Sequence, residues 1–382
     1  MHPFPAVMIG GPPHSGKSVL TYLLSQRLRQ KNIEHYVLRA CPDGEGDWSQ
    51  ESHPETVRIL RQKGAFDKEF VDQVCRDIEN RHLPLLVDVG GRPTPDQERI
   101  FRHCTHAILI AATAEGLAEW RGVAARAGLE VIAELHSVLH GEDRLETEEP
   151  VLRGQISGLE RHTGVGGPMV DALVKRLESF MFFSDEELHN YLFPLAPVKP
   201  VIAIKQLAHS IGIEPGGRWR EADLPQVLTL LPSTGVSIYG RGPNWLYAAL
   251  ALHIAPQPIV LFDPRLGWVH PTIVQCSSQP TALGWNIQPQ PAATWLKVNL
   301  APGYLDYATF SHIAAPVLAP HQGVIISGKL PFWLMVGLVL AYRHHPWLAV
   351  MQAQNYNRAI VVASGSADYV PGQELPVAMA TV

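Results

Sequence analysis

The chain has 382 residues, 46% of them hydrophobic and 18% charged, with a formal net charge of −5, which is too long for one core of ordinary size and apolar enough for two or three domains. Its start, Met1-His2-Pro3-Phe4-Pro5, has no basic n-region, and its longest apolar stretch, Phe332 to Tyr342, falls well short of the ~20 residues that span a bilayer, so a cytoplasmic protein away from membranes is expected. Four cysteines without C-x-x-C spacing (Cys41, Cys75, Cys104, Cys276) argue against a disulfide framework and a structural zinc site.

Charge is unevenly spread along the chain. Residues 198–382 hold 10 Lys/Arg and 7 Asp/Glu, against 21 and 29 in residues 1–197. This shift predicts a boundary near the proline-rich segment Pro194 to Pro200, with one domain over 1–195 and two further domains over 196–290 and 291–382. A charge-poor, slightly basic second half suits a small polyanion, whereas a DNA duplex needs a clustered Lys/Arg stripe.

Ala6-Val7-Met8-Ile9 reads as a buried strand, and Gly10-Gly11-Pro12-Pro13-His14-Ser15-Gly16-Lys17-Ser18 follows it with the pattern G-x-x-x-x-G-K-[ST]. Helical apolar spacing resumes at Ser18 and runs to Leu28. A loop so placed turns its amides, from Gly11 through Ser15 and Gly16, toward phosphate oxygens and adds the helix N-terminus. Lys17 is then expected on the terminal phosphates of ATP and the Ser18 hydroxyl on Mg2+. Leu83 to Asp88 is a second apolar strand ending in an acid, the form of a Walker B carboxylate that also helps hold magnesium. Asp88-Val89-Gly90-Gly91 fits D-x-x-G as well. No N-K-x-D run supports guanine specificity, and no glutamate follows Asp88.

Past a strand at His35 to Leu38, Asp43 or Glu45 is a candidate base for a phosphoryl acceptor, or part of a solvated acidic turn. Strands at 106–111 and 130–134 and helices near 96–103, 117–126 and 168–177 complete an alternating pattern. The prediction is a doubly wound α/β sheet with the phosphates at the carboxyl ends of its strands.

The second half repeats itself. Gly235 to Leu246 aligns without a gap onto Gly323 to Leu334, an offset of 88 residues; with small shifts, Ile259 to Phe262 matches Leu348 to Met351 and Thr272 to Ser277 matches Ala359 to Ser364. Each copy carries G-[RK]-x-P-x-W-L, in which a strand ends at Gly240 or Gly328, a basic residue (Arg241 or Lys329) follows, and proline opens a helix. Such a turn sets helix-end amides beside a cation and suits a phosphate, while Trp245 and Trp333 read as core.

The copies differ at the next strand end. The first has Phe262-Asp263-Pro264-Arg265-Leu266-Gly267, the second Met351-Gln352-Ala353-Gln354-Asn355-Tyr356. In extended chain Asp263 and Arg265 project to one side, so an acid and a guanidinium are expected to face one pocket. Asp263 would ligate a divalent metal or act as a base, Arg265 would stabilise phosphate charge, and His253 is the nearest candidate for proton transfer.

Gly240-Arg241-Gly242-Pro243-x-Trp245-Leu246 followed by Asp263-Pro264-Arg265-Leu266-Gly267 resembles a family of small ring nucleases associated with type III CRISPR systems, over about half the chain. The resemblance implies ferredoxin-like α+β domains, dependence on Mn2+, and opening of cyclic tetra-adenylate. It also implies a catalytic group of Asp263, Arg265 and His253, with Asp263 on the metal and Arg241 and its neighbours on the ring phosphates. The second copy, without D-P-R, would be a binding half. A neighbouring 2′-hydroxyl can serve as nucleophile in such a cleavage, leaving proton transfer and charge stabilisation to the protein. A tandem repeat offers a pseudo-twofold surface to a symmetric ring, and a homo-oligomer is expected to enclose it.

Overall fold

The computed structural model describes residues 4–41, 67–91, 94–160, 166–214, 217–300, 305–351 and 358–377; Asp43 and Glu45 lie outside them. Two compact units are present. One comprises the described residues up to Leu188 together with Pro264–Gly267, the other His189–Asp263 and the described residues from Trp268 onward. Both repeat copies therefore lie within one unit.

The first unit is built on β1 (Ala6–Gly10), β2 (Tyr36–Ala40), β3 (Leu85–Val89), β4 (His106–Ala111), β5 (Glu130–Val138), β6 (Arg144–Thr147) and β7 (Leu152–Ser157). They form one sheet in the order β2-β3-β1-β4-β5-β7-β6, parallel except for the antiparallel β6–β7 pair. Strand alternation sorts the side chains to two faces. Ala6, Met8, Leu85, Val87, Ala107 and Leu109 pack with the helices Lys68–Glu79, Pro95–Phe101 and Ala114–Ala127. Val7, Ile9, Leu86, Ile108 and Ile110 pack with Lys17–Gln30 and Pro168–Met181. With both faces covered, the central strands must be apolar throughout, which is why they read so plainly in the sequence. Capping follows local chemistry too: Thr94 and Gln97 close a capping box with Pro95 at the first helical position.

The second unit holds β8 (Val201–Ala203), β9 (Val236–Tyr239), β10 (Ile259–Asp263), β11 (Gly267–Val269), β12 (Ile273–Ser277), β13 (Trp285–Pro289), β14 (Ala293–Val298), β15 (His312–Pro316), β16 (Gly323–Ser327), β17 (Trp347–Met351), β18 (Arg358–Ser364) and β19 (Glu374–Pro376). One sheet runs β11-β10-β9-β8 and another β13-β14-β16-β17-β18-β19. In each, three neighbouring strands are parallel: β8, β9 and β10 in the first copy, β14, β16 and β17 in the second.

That arrangement corrects the ferredoxin-like expectation. Two successive crossovers set three strands side by side in one direction, whereas a ferredoxin-like sheet interleaves antiparallel neighbours. The proposed equivalence of the third strands also fails. β18 pairs with β17, but its sequence counterpart β12 pairs with β15 in a separate two-stranded sheet, and β11 takes the place beside β10.

The helices Asn244–Ile254 and Phe332–Ala341 follow Pro243 and Pro331, which stay extended as N-caps (ψ 151° and 148°). Both helices are apolar all round because both are enclosed. Trp245 and Trp333 are fully buried, and Tyr247 of one helix stacks on Phe332 of the other, ring centroids 4.9 Å apart.

Candidate functional sites

The loop between β1 and helix Lys17–Gln30 needs glycine at two places. A Cβ on Gly11 would lie 1.9 Å from the Ile110 carbonyl oxygen. Gly16, at φ 89°, occupies the left-handed region as the helix N-cap, and no side chain caps that end. The first-turn amides are thus left to an external acceptor. Ser15 is buried and its Oγ has no hydrogen-bond partner. Lys17 is buried as well, its Nζ donating to the carbonyls of Gly11 (2.8 Å) and Pro12 (2.7 Å). Burial holds its pKa below the ordinary lysine value, and the charges of Asp88 and Cys41 act in the opposite sense.

Asp88 sits at the carboxyl end of β3, in register with Ile9 on one side and Arg39 on the other. Its carboxylate is buried, with Arg39 Nε 3.8 Å from Oδ2. A Cβ on Gly91 would lie 2.4 Å from Pro13 N, so the end of the D-x-x-G run lies against the loop. Gly11, Ser15, Gly16, Lys17, Ser18 and Asp88 therefore share one sheet edge. The Ser18 hydroxyl and the Asp88 carboxylate are hard oxygen donors of the kind magnesium takes. In the sequence Arg39 stands out only as the one charged residue of an otherwise apolar strand.

In the first repeat, Leu261 is in register with Ile238, and continuing that register sets Asp263 beside Gly240. Gly240 (φ 108°) and Gly328 (φ 149°) both take backbone conformations that favour glycine. Tyr247 OH donates to the Gly240 carbonyl, and a Cβ on Gly328 would lie 2.6 Å from the Val298 carbonyl oxygen. Arg241 and Lys329 are exposed. Asn244 Nδ2 donates to the Leu330 carbonyl at 3.0 Å, which joins the first glycine–basic turn to the second. Lys205 follows β8, and Lys297 of β14 is in register with Ser327, which adds two cations to these strand ends.

The expected catalytic triad is not assembled. His253 is exposed near the C-terminal end of helix Asn244–Ile254. Nine residues at 1.5 Å each place it about 13 Å along the axis from the turn. A parallel crossover returns the chain to the opposite edge of the sheet before the next strand starts, so a helix-end residue cannot stay beside the strand end it precedes. Asp263 is only 1% exposed and Arg265 5%. Arg265 belongs by its packing to the first unit; its NH1 is 3.9 Å from Asp77 Oδ2, and its guanidinium lies over the Tyr36 ring at 5.5 Å. Alternation along an extended strand did not apply, because β10 ends at Asp263.

Among the described residues no group of three or more His, Cys, Asp or Glu side chains converges. Also among the described residues, no helix is long and apolar enough to cross a membrane.

The family model of the CRISPR-associated protein Cas_csx3 matches residues 217–288 and 299–376, one segment in each repeat copy. A nucleotide-binding protein from Archaeoglobus fulgidus in complex with ADP is a structural neighbour over 49% of this chain and 91% of its own, at 12% identity and a TM-score of 0.27. No curated protein matches. The second half is thus a tandem repeat similar to a CRISPR-associated family, and the first half is a parallel-rich α/β sheet.

Proposed function

We propose that the repeat half binds cyclic tetra-adenylate at its joined strand ends and opens the ring, and that the first half binds ATP with Mg2+ and assists or regulates that step. The observation that carries this reading is the Asn244–Leu330 hydrogen bond, which makes one place of two glycine–basic turns. Arg241 and Lys329 then stand over neighbouring phosphates, each beside a helix N-terminus. Ligands of parallel α/β sheets bind at the carboxyl ends of strands, where these residues lie.

In the proposed reaction the 2′-hydroxyl of one nucleotide attacks the adjacent phosphorus, and the 5′-oxygen departs, taking a proton from water, to leave a 2′,3′-cyclic phosphate and a 5′-hydroxyl. Asp263, on the same edge beside Gly240, receives the hydroxyl proton, while Arg241 and Lys329 stabilise the charge developing on the phosphate oxygens. His253 and Arg265 have no part in it. Chromatography of cyclic tetra-adenylate after exposure to the protein checks the scheme. Linear product is expected from the natural chain and is lost in Asp263→Asn; undiminished product from that variant would remove Asp263 from the mechanism.

A second reading is favoured by the burial of Asp263 and Arg265: the repeat senses the cyclic nucleotide and controls phosphoryl transfer or ATP hydrolysis at Lys17. Binding without any linear product, with ATP turnover that responds to the ring, would select it.

A further inference from the structure

Arg265 has no part in the proposed proton transfer, yet it is only 5% exposed, and a guanidinium is costly to bury unless protein groups offset its lost hydration. It sits in the turn Pro264–Gly267, which joins β10 to β11 and packs with the first unit. Three elements of that unit hold the turn. The Pro264 carbonyl accepts from His82 N at 2.7 Å, just ahead of β3. Arg265 NH1 is 3.9 Å from Asp77 Oδ2 on helix Lys68–Glu79, both side chains 6% exposed. The guanidinium also lies 5.5 Å from the centre of the ring of Tyr36, the first residue of β2. At the far end of the turn Gly267 takes φ 74°, and a Cβ there would lie 2.8 Å from His82 Nε2.

From this geometry we infer that Arg265 is a positioning residue for the proposed ring opening: it anchors the turn that starts at the Asp263–Pro264 peptide, and so fixes where the Asp263 carboxylate stands. Proline at 264 stiffens that link, since its ring fixes φ. A group that takes a proton in the transition state must be placed closely, and a shift of about 1 Å costs roughly a hundredfold in rate. The first unit thereby becomes a structural requirement of the repeat's chemistry. Lysine in place of Arg265 keeps a charge opposite Asp77 but loses the planar stacking on Tyr36. The inference rests on the ring-opening reading, in which Asp263 receives the proton.

The test separates binding from turnover in the full chain. Affinity for labelled cyclic tetra-adenylate and the rate of linear product are measured for the natural protein, Arg265→Met, Arg265→Lys, Asp77→Asn and the double variant Arg265→Met/Asp77→Asn. Arg265→Met is expected to keep the natural affinity and to lose roughly tenfold or more in rate. Arg265→Lys should recover part of that loss, and the double variant should be no slower than Arg265→Met, because both changes release one anchor. An unchanged rate in Arg265→Met overturns the inference and leaves the ring-opening reading standing. Affinity lost together with rate in a folded Arg265→Met variant also overturns it, since Arg265 would then meet the nucleotide itself. Absence of linear product from a natural chain that binds the ring overturns the ring-opening reading, and the positioning role falls with it. Asp77→Asn leaves the arginine in place and reports independently should Arg265→Met fold poorly; a natural rate in Asp77→Asn would then contradict the anchor.

Discussion

At the scale of single residues, the edge of the first sheet that carries the glycine-rich loop is a set of buried polar groups arranged around a loop that excludes side chains. Lys17 is held below its ordinary pKa by burial. A cation so placed costs stability that a bound anion offsets, so Lys17→Ala should leave the folded protein at least as stable while weakening binding of an ATP analogue. Charge-assisted hydrogen bonds contribute roughly 1.5–3 kcal/mol, which is about ten- to a hundredfold in affinity; isothermal titration would measure it. Gly11→Ala should behave differently, since the new methyl would meet a backbone oxygen at 1.9 Å. It is expected to destabilise the domain itself, seen as a lower thermal midpoint without ligand. The limits of reading residues from sequence also show at this scale. Asp263 and Arg265 are two positions apart, yet strand β10 ends at the first of them, and spacing alone does not tell where a strand stops.

At the scale of elements, most of the first half was legible because the chemistry that builds it is local. A glycine-rich loop between an apolar strand and an amphipathic helix has few alternative readings, and fully covered parallel strands advertise themselves as apolar runs. The hairpin of β6 and β7 was not read, because its strands alternate Arg, Glu, Thr and Gln with few apolar residues. The repeat was visible as similarity at an offset of 88, but its third strand was misassigned, since the sequence match sets β12 against β18 while β12 pairs elsewhere. Helix Phe332–Ala341 is enclosed on all sides, and Trp333 is fully buried within it. Trp333→Ala should cost about 3–5 kcal/mol, measured as a lower denaturant midpoint.

A pH dependence belongs to the sheet of the first unit. Glu134 of β5 accepts from Arg121 (2.7 and 3.0 Å) and Arg153 (3.0 Å), and these bonds, that to Arg121 foremost, hold its carboxyl below the usual range. A depressed carboxylate stabilises the fold fully above its unfolded pKa and loses that contribution as pH falls through the folded value. Both arginines are about half exposed, so the effect is that of a surface network, about 1 kcal/mol. Glu134→Gln should lower the thermal midpoint by a few degrees at pH 7 and by progressively less as the pH falls below about 4.

At the scale of the whole molecule, the chain joins a parallel-rich α/β sheet to a repeat similar to a CRISPR-associated family. In the proposed function the two halves handle phosphate by the same physics: a strand ends, glycine frees the backbone, and a helix N-terminus with one cation follows. In the first half the loop closes on a single site. In the second, two half-sites meet through Asn244 and Leu330, so the account requires that neither half suffices alone. Equilibrium binding of labelled cyclic tetra-adenylate to the natural chain, Arg241→Ala and Lys329→Ala tests that requirement most directly. Each single variant is expected to lose tenfold or more in affinity at one shared site; unchanged affinity in either variant, or two independent classes of site, would contradict it.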